Sequence, residues 1–449
     1  MFVHFIQVLE EAQTPYCILA GYDGYPDDIG SDVDFMVSNE WSDRLPGLIA
    51  LAAARSSGHL IQYLRHETTA TYFVIARLNG KTVSYLHPDS STDYRRHGRR
   101  WLEAEGVLER RRRHARGFWI PAAADAFAYY LIKKIDKAQR LDERQAQQLT
   151  RRYLEDPDGG SKVIRRLLPV PEAQTIEQAA RSGSWSTFTS LGHLRTALHA
   201  RTPIEPWSTR IRQAAADLQR FTDRLIAPTG LHIVFLGPDG SGKSSIISTV
   251  CSEMSKAFRR VQYQHLRPGL LVPKRRGGMV VTDPHGKPPR GTLASTFKLV
   301  HFWLDFVIGA SVWLLPQKVR STLIVFDRYY HDIVADPLRY RYGGSLRLAR
   351  WLGRIVPQPD LVFILDAPAA VLQQRKKEVS LEEGERQRSA YLELRSEFRQ
   401  ARVIDVAQPL DKVIADVLGH ICDCQEARTA RRLRVPRSVT PSAIADPAS

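Results

Sequence analysis

Four cysteines in 449 residues, Cys17, Cys251, Cys422 and Cys424, are too few and too unevenly spaced for a disulfide framework or a zinc site. Such sparing use of thiols points to a reducing compartment, the cytoplasm. A secretory leader is also missing, because Glu10 and Glu11 interrupt the first apolar stretch and no basic start precedes it. No repeat of fixed period is visible, which excludes a solenoid. The most apolar run, Leu299 to Leu315, holds His301 and Asp305 and stops at Pro316, so it is predicted to be a buried helix of a soluble domain and not a membrane span. Acidic residues are in deficit, 48 against 64 Lys and Arg, for a net charge of +16. That excess suits anionic partners and says nothing about fold. At 43% hydrophobic and 25% charged, the chain is able to build real cores, and its length predicts two or three domains.

Apolar periodicity divides the chain. Residues 1–116 open with the helical FIQVLEEAQ, then the apolar PYCILAG, the alternating strand DVDFMV, the helical LPGLIALAAARSS and a hairpin turning at Asn79-Gly80. Residues 117–228 are helical in pattern and end at the turn-forming APTG. From 229 to 424 short apolar runs, LHIVFLG, STLIVFD, PDLVFILD and ARVIDV, alternate with helical stretches, which predicts a parallel sheet covered by helices on both faces. Residues 425–449 lack apolar periodicity and are expected to form a disordered basic tail.

The sharpest motif is Gly237-Pro-Asp239-Gly240-Ser241-Gly242-Lys243-Ser244-Ser245, a GxxxxGK[ST] pattern between a predicted strand and a predicted helix. Glycines let backbone N–H groups close around phosphate oxygens, Lys243 reaches the β- and γ-phosphates, and Ser244 offers a hydroxyl to Mg²⁺. A second acidic partner is expected at another strand end, and STLIVF-Asp327-Arg328 supplies it: Asp327 for the metal shell and Arg328 for an acceptor phosphate.

With GPDGSGKSS, DRYY and PDLVFILDAP, in which Arg375 follows Asp366 by nine residues, the stretch 229–424 resembles the thymidylate kinase family of nucleoside monophosphate kinases. The resemblance implies ATP and Mg²⁺ as cofactors and a P-loop fold. It implies acceptor contacts from Asp239, from Arg267 in His265-Leu-Arg-Pro-Gly269, and from Arg328. It also implies a basic lid in RKKEVSLEEGERQR, where Arg375, Arg386 and Arg388 would supply transition-state charge that a P-loop without arginine lacks. The run YYHDIVADPLRYRYGG stands where the family has Ser and a Tyr-Gln pair, and an insertion spans 270–292, so the acceptor half departs from the family and thymidylate itself is not implied.

A second constellation is Gly21-Tyr22, nine residues, then Asp32-Val-Asp34. Alternate strand residues face one way, so the two carboxylates project together and suit a shared divalent cation. The spacing resembles the hG[GS]…DhD pattern of the nucleotidyltransferase superfamily, with Tyr22 in place of Ser or Gly and Asp89 as the nearest third carboxylate. The basic runs 93–101 and 109–116 lack regular aromatic interleaving, so they are read as solvated faces and not as a nucleic-acid platform.

The architecture expected is therefore α/β, with a C-terminal P-loop NTPase parallel sheet, an N-terminal α+β nucleotidyltransferase-like domain and a helical middle region. The expected activity is transfer of the ATP γ-phosphoryl to a small phosphorylated acceptor, foremost a nucleoside monophosphate, and the partners expected are the nucleotide, that acceptor and a second copy of the chain in a homodimer. The rival readings are an NTP-binding regulatory or scaffold protein and an enzyme acting on a sugar-linked acceptor. The latter rests on resemblance to proteins of bacterial surface-polysaccharide gene neighbourhoods.

Overall fold

A computed structural model describes the chain except residues 28, 30–31, 68, 187, 189, 270–287, 377–379 and 434–449. The N-terminal part runs α1 (Phe2–Glu11), β1 (Tyr16–Ala20), β2 (Asp32–Val37), α2 (Leu45–Arg55), β3 (His59–Glu67), β4 (Ala70–Asn79) and β5 (Thr82–Ser91). Its sheet has the order β1-β2-β5-β4-β3. Only the β2–β5 pair is parallel. The β4–β5 hairpin turns where predicted, with Asn79 opposite Thr82 and Gly80 at φ 60°. One sheet face carries Ile18, Phe35, Leu60 and Phe73, which pack under Phe5 and Ile49 of the two helices.

Next come the hairpin β6 (Tyr94–Arg96) and β7 (Arg99–Leu102), α3 (Ala104–Glu109), and the pair β8 (Arg112–Arg113) and β9 (Trp119–Ile120). Five helices follow: α4 (Ala123–Lys137), α5 (Glu143–Leu154), α6 (Pro157–Leu167), α7 (Val170–Ser182) and α8 (Gly192–Arg201). They share a core with Cys17, Leu19 and Met36, so the helical middle covers the β1–β2 end of the sheet's second face. Helix α9 (Trp207–Ile226) then leads into the C-terminal part without a single buried residue.

That part holds β10 (Leu231–Leu236), α10 (Lys243–Glu253), β11 (Arg260–His265), α11 (Thr292–Gly309), α12 (Leu315–Val319), β12 (Thr322–Asp327), α13 (Asp332–Ala335), α14 (Leu346–Gly353), β13 (Leu361–Asp366), α15 (Ala369–Arg375), α16 (Leu381–Glu393), β14 (Ala401–Asp405) and α17 (Leu410–Leu433). The sheet, β11-β12-β10-β13-β14, is parallel throughout and has helices on both faces. It is the mixed α/β arrangement compatible with a P-loop fold.

Two expectations need correction. The tail expected from 425 is helical through Leu433: Thr429 Oγ1 donates to Ile61 O at 2.9 Å and Arg432 to Tyr63 O at 3.1 Å, so tertiary partners order a stretch without apolar periodicity. The apolar run Leu299–Leu315 is helical but buries only one side; Leu299, Phe302, Asp305 and Phe306 face the core while Val300, Ile308 and Val312 stay exposed. Among the described residues one helix, Thr292–Val319, is long and apolar enough to cross a membrane. Asp305 on it is fully buried and accepts from Gly269 N at 3.0 Å, which ties the helix to the sheet's edge.

Candidate active site

The Gly237–Ser245 loop leaves the central strand β10 and enters α10, at the carboxyl edge where parallel sheets bind ligands. Two of its glycines are sterically required. Gly240 sits at φ 83°, and a Cβ there would stand 2.8 Å from the Leu372 carbonyl. On Gly237 a Cβ would stand 2.8 Å from that of Leu365. Lys243 is 7% exposed and folds back, donating to Gly237 O and Pro238 O, each at 2.8 Å, and to Ser241 Oγ at 3.3 Å. Burial, aided by the Arg328 charge, lowers its ammonium to about 8. Ser244 and Ser245 face solvent at the start of α10.

Asp327 ends β12, one strand over, with His265 opposite it in register on β11. Tyr263 Oη donates to its Oδ2 at 3.2 Å, and His265 Nδ1 lies 3.5 Å away. Burial alone would raise this carboxyl, but the His265 contact and the Lys243 and Arg328 charges hold it below the ordinary value. Its Oδ1 is buried without a hydrogen-bond partner among the described residues. An acceptor-only oxygen left in that position, beside a P-loop, fits a divalent cation, with the Ser244 hydroxyl as its second protein ligand.

Arg328, 3% exposed and at φ 73°, turns inward. It donates to Asp239 Oδ1 at 2.5 Å, Asp332 Oδ2 at 2.8 Å and Tyr391 Oη at 3.2 Å. Asp332 is fully buried and also accepts from Tyr391 at 2.5 Å and Tyr340 at 2.6 Å. Asp239 receives Arg339 as well. Sequence reasoning missed Asp332, Arg339, Tyr340 and Tyr391; only Asp332, four residues after Arg328, leaves a local signal. Arg267 sits just beyond β11, 4.0 Å from Asp305, on the same edge as Arg328.

The three lid arginines go to different places. Arg375 donates to Val406 O at 3.0 Å, beside Lys376, whose Cβ lies 3.4 Å from where a Cβ on Gly240 would be. Arg386 forks onto Glu383 at 2.6 and 2.7 Å, and Arg388 onto Asp366 at 2.7 and 3.1 Å. Both of the latter are engaged by carboxylates in this state. Residues 377–379 of the lid and 270–287 of the insertion lie outside the described residues.

No family model matches the chain. Relatives that it resembles include thymidylate kinases. It is 26% identical over 217 residues, 42% of this chain and 93% of the relative, to the thymidylate kinase of Leuconostoc mesenteroides subsp. mesenteroides. A probable thymidylate kinase of Pyrobaculum aerophilum is 24% identical over 193 residues, covering 40% of this chain and 91% of the relative. The thymidylate kinase of Xanthomonas campestris pv. campestris is 25% identical over 145 residues, covering 32% and 59%. The chain carries a thymidylate kinase-like domain. More than half of the chain lies outside the likeness.

The N-terminal carboxylates come together too. Parallel register sets Asp34 of β2 opposite Asp89 of β5, and Asp32 opposite His87. Gly21, at φ 93°, packs where a Cβ would stand 2.2 Å from Asp32 O, so the motif glycine is required by this close approach. Tyr22 turns away to stack edge-on with Phe118 and His114. Asp32 accepts from Tyr72 at 3.3 Å, and the His87 contact lowers its carboxyl. Asp89 is pushed up to about 7 by burial and by Asp34. Lys133 of α4 binds Asp34. Asp34, Asp89 and Lys133 line a cavity of about 370 Å³ with Arg96 and Lys137. The basic runs are largely consumed by structure: Arg95 meets Asp93 and Glu205, Arg96 meets Asp136, Arg110 meets Asp125 and Arg112 meets Glu155.

Proposed function

We propose that the C-terminal part transfers the γ-phosphoryl of ATP to a small phosphorylated acceptor, a nucleoside monophosphate in the first place. The observation that carries this reading is the pairing of the P-loop on β10 with Asp327 and Arg328 at the end of β12, in a chain whose relatives are thymidylate kinases. Lys243 and the loop amides hold the donor phosphates, and Ser244 and Asp327 hold Mg²⁺, which supplies charge neutralisation at the β- and γ-oxygens. Arg267 and Arg328 orient the acceptor phosphate, and Asp239 fixes Arg328 from the P-loop side. Catalysis is then mainly positioning and preorganised charge. Arg386 and Arg388 must exchange Glu383 and Asp366 for phosphate when the lid engages; Arg375 is held by the Val406 carbonyl.

The test is ADP release from MgATP with a panel of nucleoside monophosphates, thymidylate included, and Lys243→Ala as the blank. Stimulation by one acceptor above the blank is expected. Silence across the panel, with ATP still bound, would defeat this reading in favour of a nucleotide-binding regulator or a sugar-linked acceptor.

The Asp34–Asp89 register favours a second reading, nucleotidyl transfer by the N-terminal part with a divalent cation held by Asp32, Asp34 and Asp89. Pyrophosphate release that disappears in Asp34→Asn is the expected outcome, and release unchanged in that variant would sink it.

A further inference from the structure

Helix α9 is amphipathic, yet it lies with its apolar side turned outward. The residues nearest the body of the molecule are Thr209, Gln213, Ala216, Arg220 and Arg224. They are held by polar contacts: Gln213 donates to Glu205 at 2.9 Å, and Arg224 to Arg65 O at 2.6 Å. The opposite side presents Trp207 (74% exposed), Ile211 (54%), Leu218 (65%), Phe221 (53%) and Leu225 (40%), with Ala214 completing the row. Burial of this stripe inside the chain would be the ordinary fate of a 20-residue amphipathic helix.

The spacing along the stripe says what covers it. From Trp207 to Leu225 the apolar positions advance by 4, 3, 4, 3 and 4 residues, the alternation of a two-stranded coiled-coil seam, with Ile226 (84% exposed) outside it at the helix end. Ile211, Leu218 and Leu225 occupy one heptad position, and Trp207, Ala214 and Phe221 the other. The surface against the protein is the side such a pair turns away from its seam, so two bodies would lie on opposite sides without meeting at the helices. Charges beside the seam choose the direction. In a parallel pair Arg210 faces the partner's Ala215 and Asp217 faces the partner's Thr222, with no like charges opposed. In an antiparallel pair Arg210 would face the partner's Arg224. The seam is about 30 Å long. The exposed parts of Trp207 and Phe221 in the two copies offer roughly 400–600 Å², which the aliphatic positions bring towards the scale of the smaller specific interfaces.

We propose that α9 is a dimerisation helix that pairs in parallel with α9 of a second copy of this chain. The experiment is the mass of the full-length protein by light scattering at micromolar concentration, together with Leu218→Asp and Ile211→Cys. A mass of twice 50.9 kDa is expected for the unaltered chain and 50.9 kDa for Leu218→Asp. The melting temperature of Leu218→Asp, measured at a concentration where both chains are monomeric, should be unchanged. Under oxidation Ile211→Cys should form a covalent dimer with itself, as only parallel pairing places position 211 against its own copy. An unaltered chain that stays monomeric overturns the proposal. So does a Leu218→Asp dimer, which would move the interface elsewhere, or a monomer that cosediments through α9 with phosphatidylglycerol–phosphatidylcholine vesicles.

Discussion

Lys243 shows how one residue can carry both a cost and a readout. The loop holds its ammonium at about 8, below the ordinary 10.5, because it is buried beside Arg328. For a base with a depressed value, the penalty is present in full below pH 8 and fades as pH rises towards 10.5, so the fold gains stability across that interval. Anionic phosphates next to Lys243 reverse the shift. ATP binding should therefore take up a proton at about pH 8.5 and almost none at about pH 6.5, where the lysine is already charged. Calorimetric titration in two buffers of different ionisation enthalpy measures this, and equal heats at the higher pH would refute it. Asp332 is the other decisive residue. It is the fully buried counter-charge of Arg328 and the acceptor of the Tyr340 and Tyr391 hydroxyls, so Asp332→Ala leaves Arg328 only the partly exposed Asp239 and should cost about 3–5 kcal/mol in urea denaturation. Asp239→Asn should lower the urea midpoint less than Asp332→Ala does, because that carboxylate is 19% exposed, Arg328 keeps Asp332, and the loss falls on the more exposed Arg339.

Elements differ in how far their own sequence specifies them. β2 is found at Asp32–Val37, and β10 with its loop and helix likewise, because alternation, apolar runs and glycine punctuation are local signals. β3 has no such signal. Leu60 faces the core under α1 and α2, Ile61 faces the core shared with the P-loop sheet, and the buried Gln62 donates to Thr229 O at 3.3 Å, so the apolar–polar alternation is broken by partners on both sides. The end of α17 was illegible for a related reason: its arginines reach backbone carbonyls far away in sequence, of Pro228 and of Tyr63 on β3. The site divides in the same way. Its P-loop and Asp327-Arg328 are legible from motif and strand end. Arg339 and Tyr391 close on Asp239 and Arg328 across 100 and 63 residues, a pairing no window contains. The loop makes a test at this scale. Gly240→Ala should cost about 1–2 kcal/mol from its left-handed backbone alone, and the Leu372 carbonyl at 2.8 Å adds to it. ATP affinity should fall with the urea midpoint, and an unchanged affinity would mean that this turn does not shape the phosphate site.

At the scale of the molecule, the two sheets are joined by the helices between them. Ile61, Val74 and Ala76 of the N-terminal sheet share one core with Ile246, Ile247 and Val250 of α10 and with Val413, Val417 and Ile421 of α17. β5 also reaches the far end of the P-loop helix: Val83 N donates to Glu253 at 2.9 Å, and Tyr85 Oη to Glu253 O at 2.8 Å. The strand that carries Asp89 at one end thus grips, through its other end, the helix that carries Lys243. Neither part can leave without exposing the apolar faces of α10 and α17, so the N-terminal and P-loop parts should unfold together. Calorimetry of the full chain should give one endotherm. At a hundredfold excess over the dissociation constant, MgATP adds about 2.7 kcal/mol, which for a chain of this size moves the whole transition by roughly 3 °C. Lys243→Ala should abolish the displacement. Two endotherms, of which only one moves with MgATP, would mean that the shared core is too weak to couple the sheets, and that whatever each part binds is felt by that part alone.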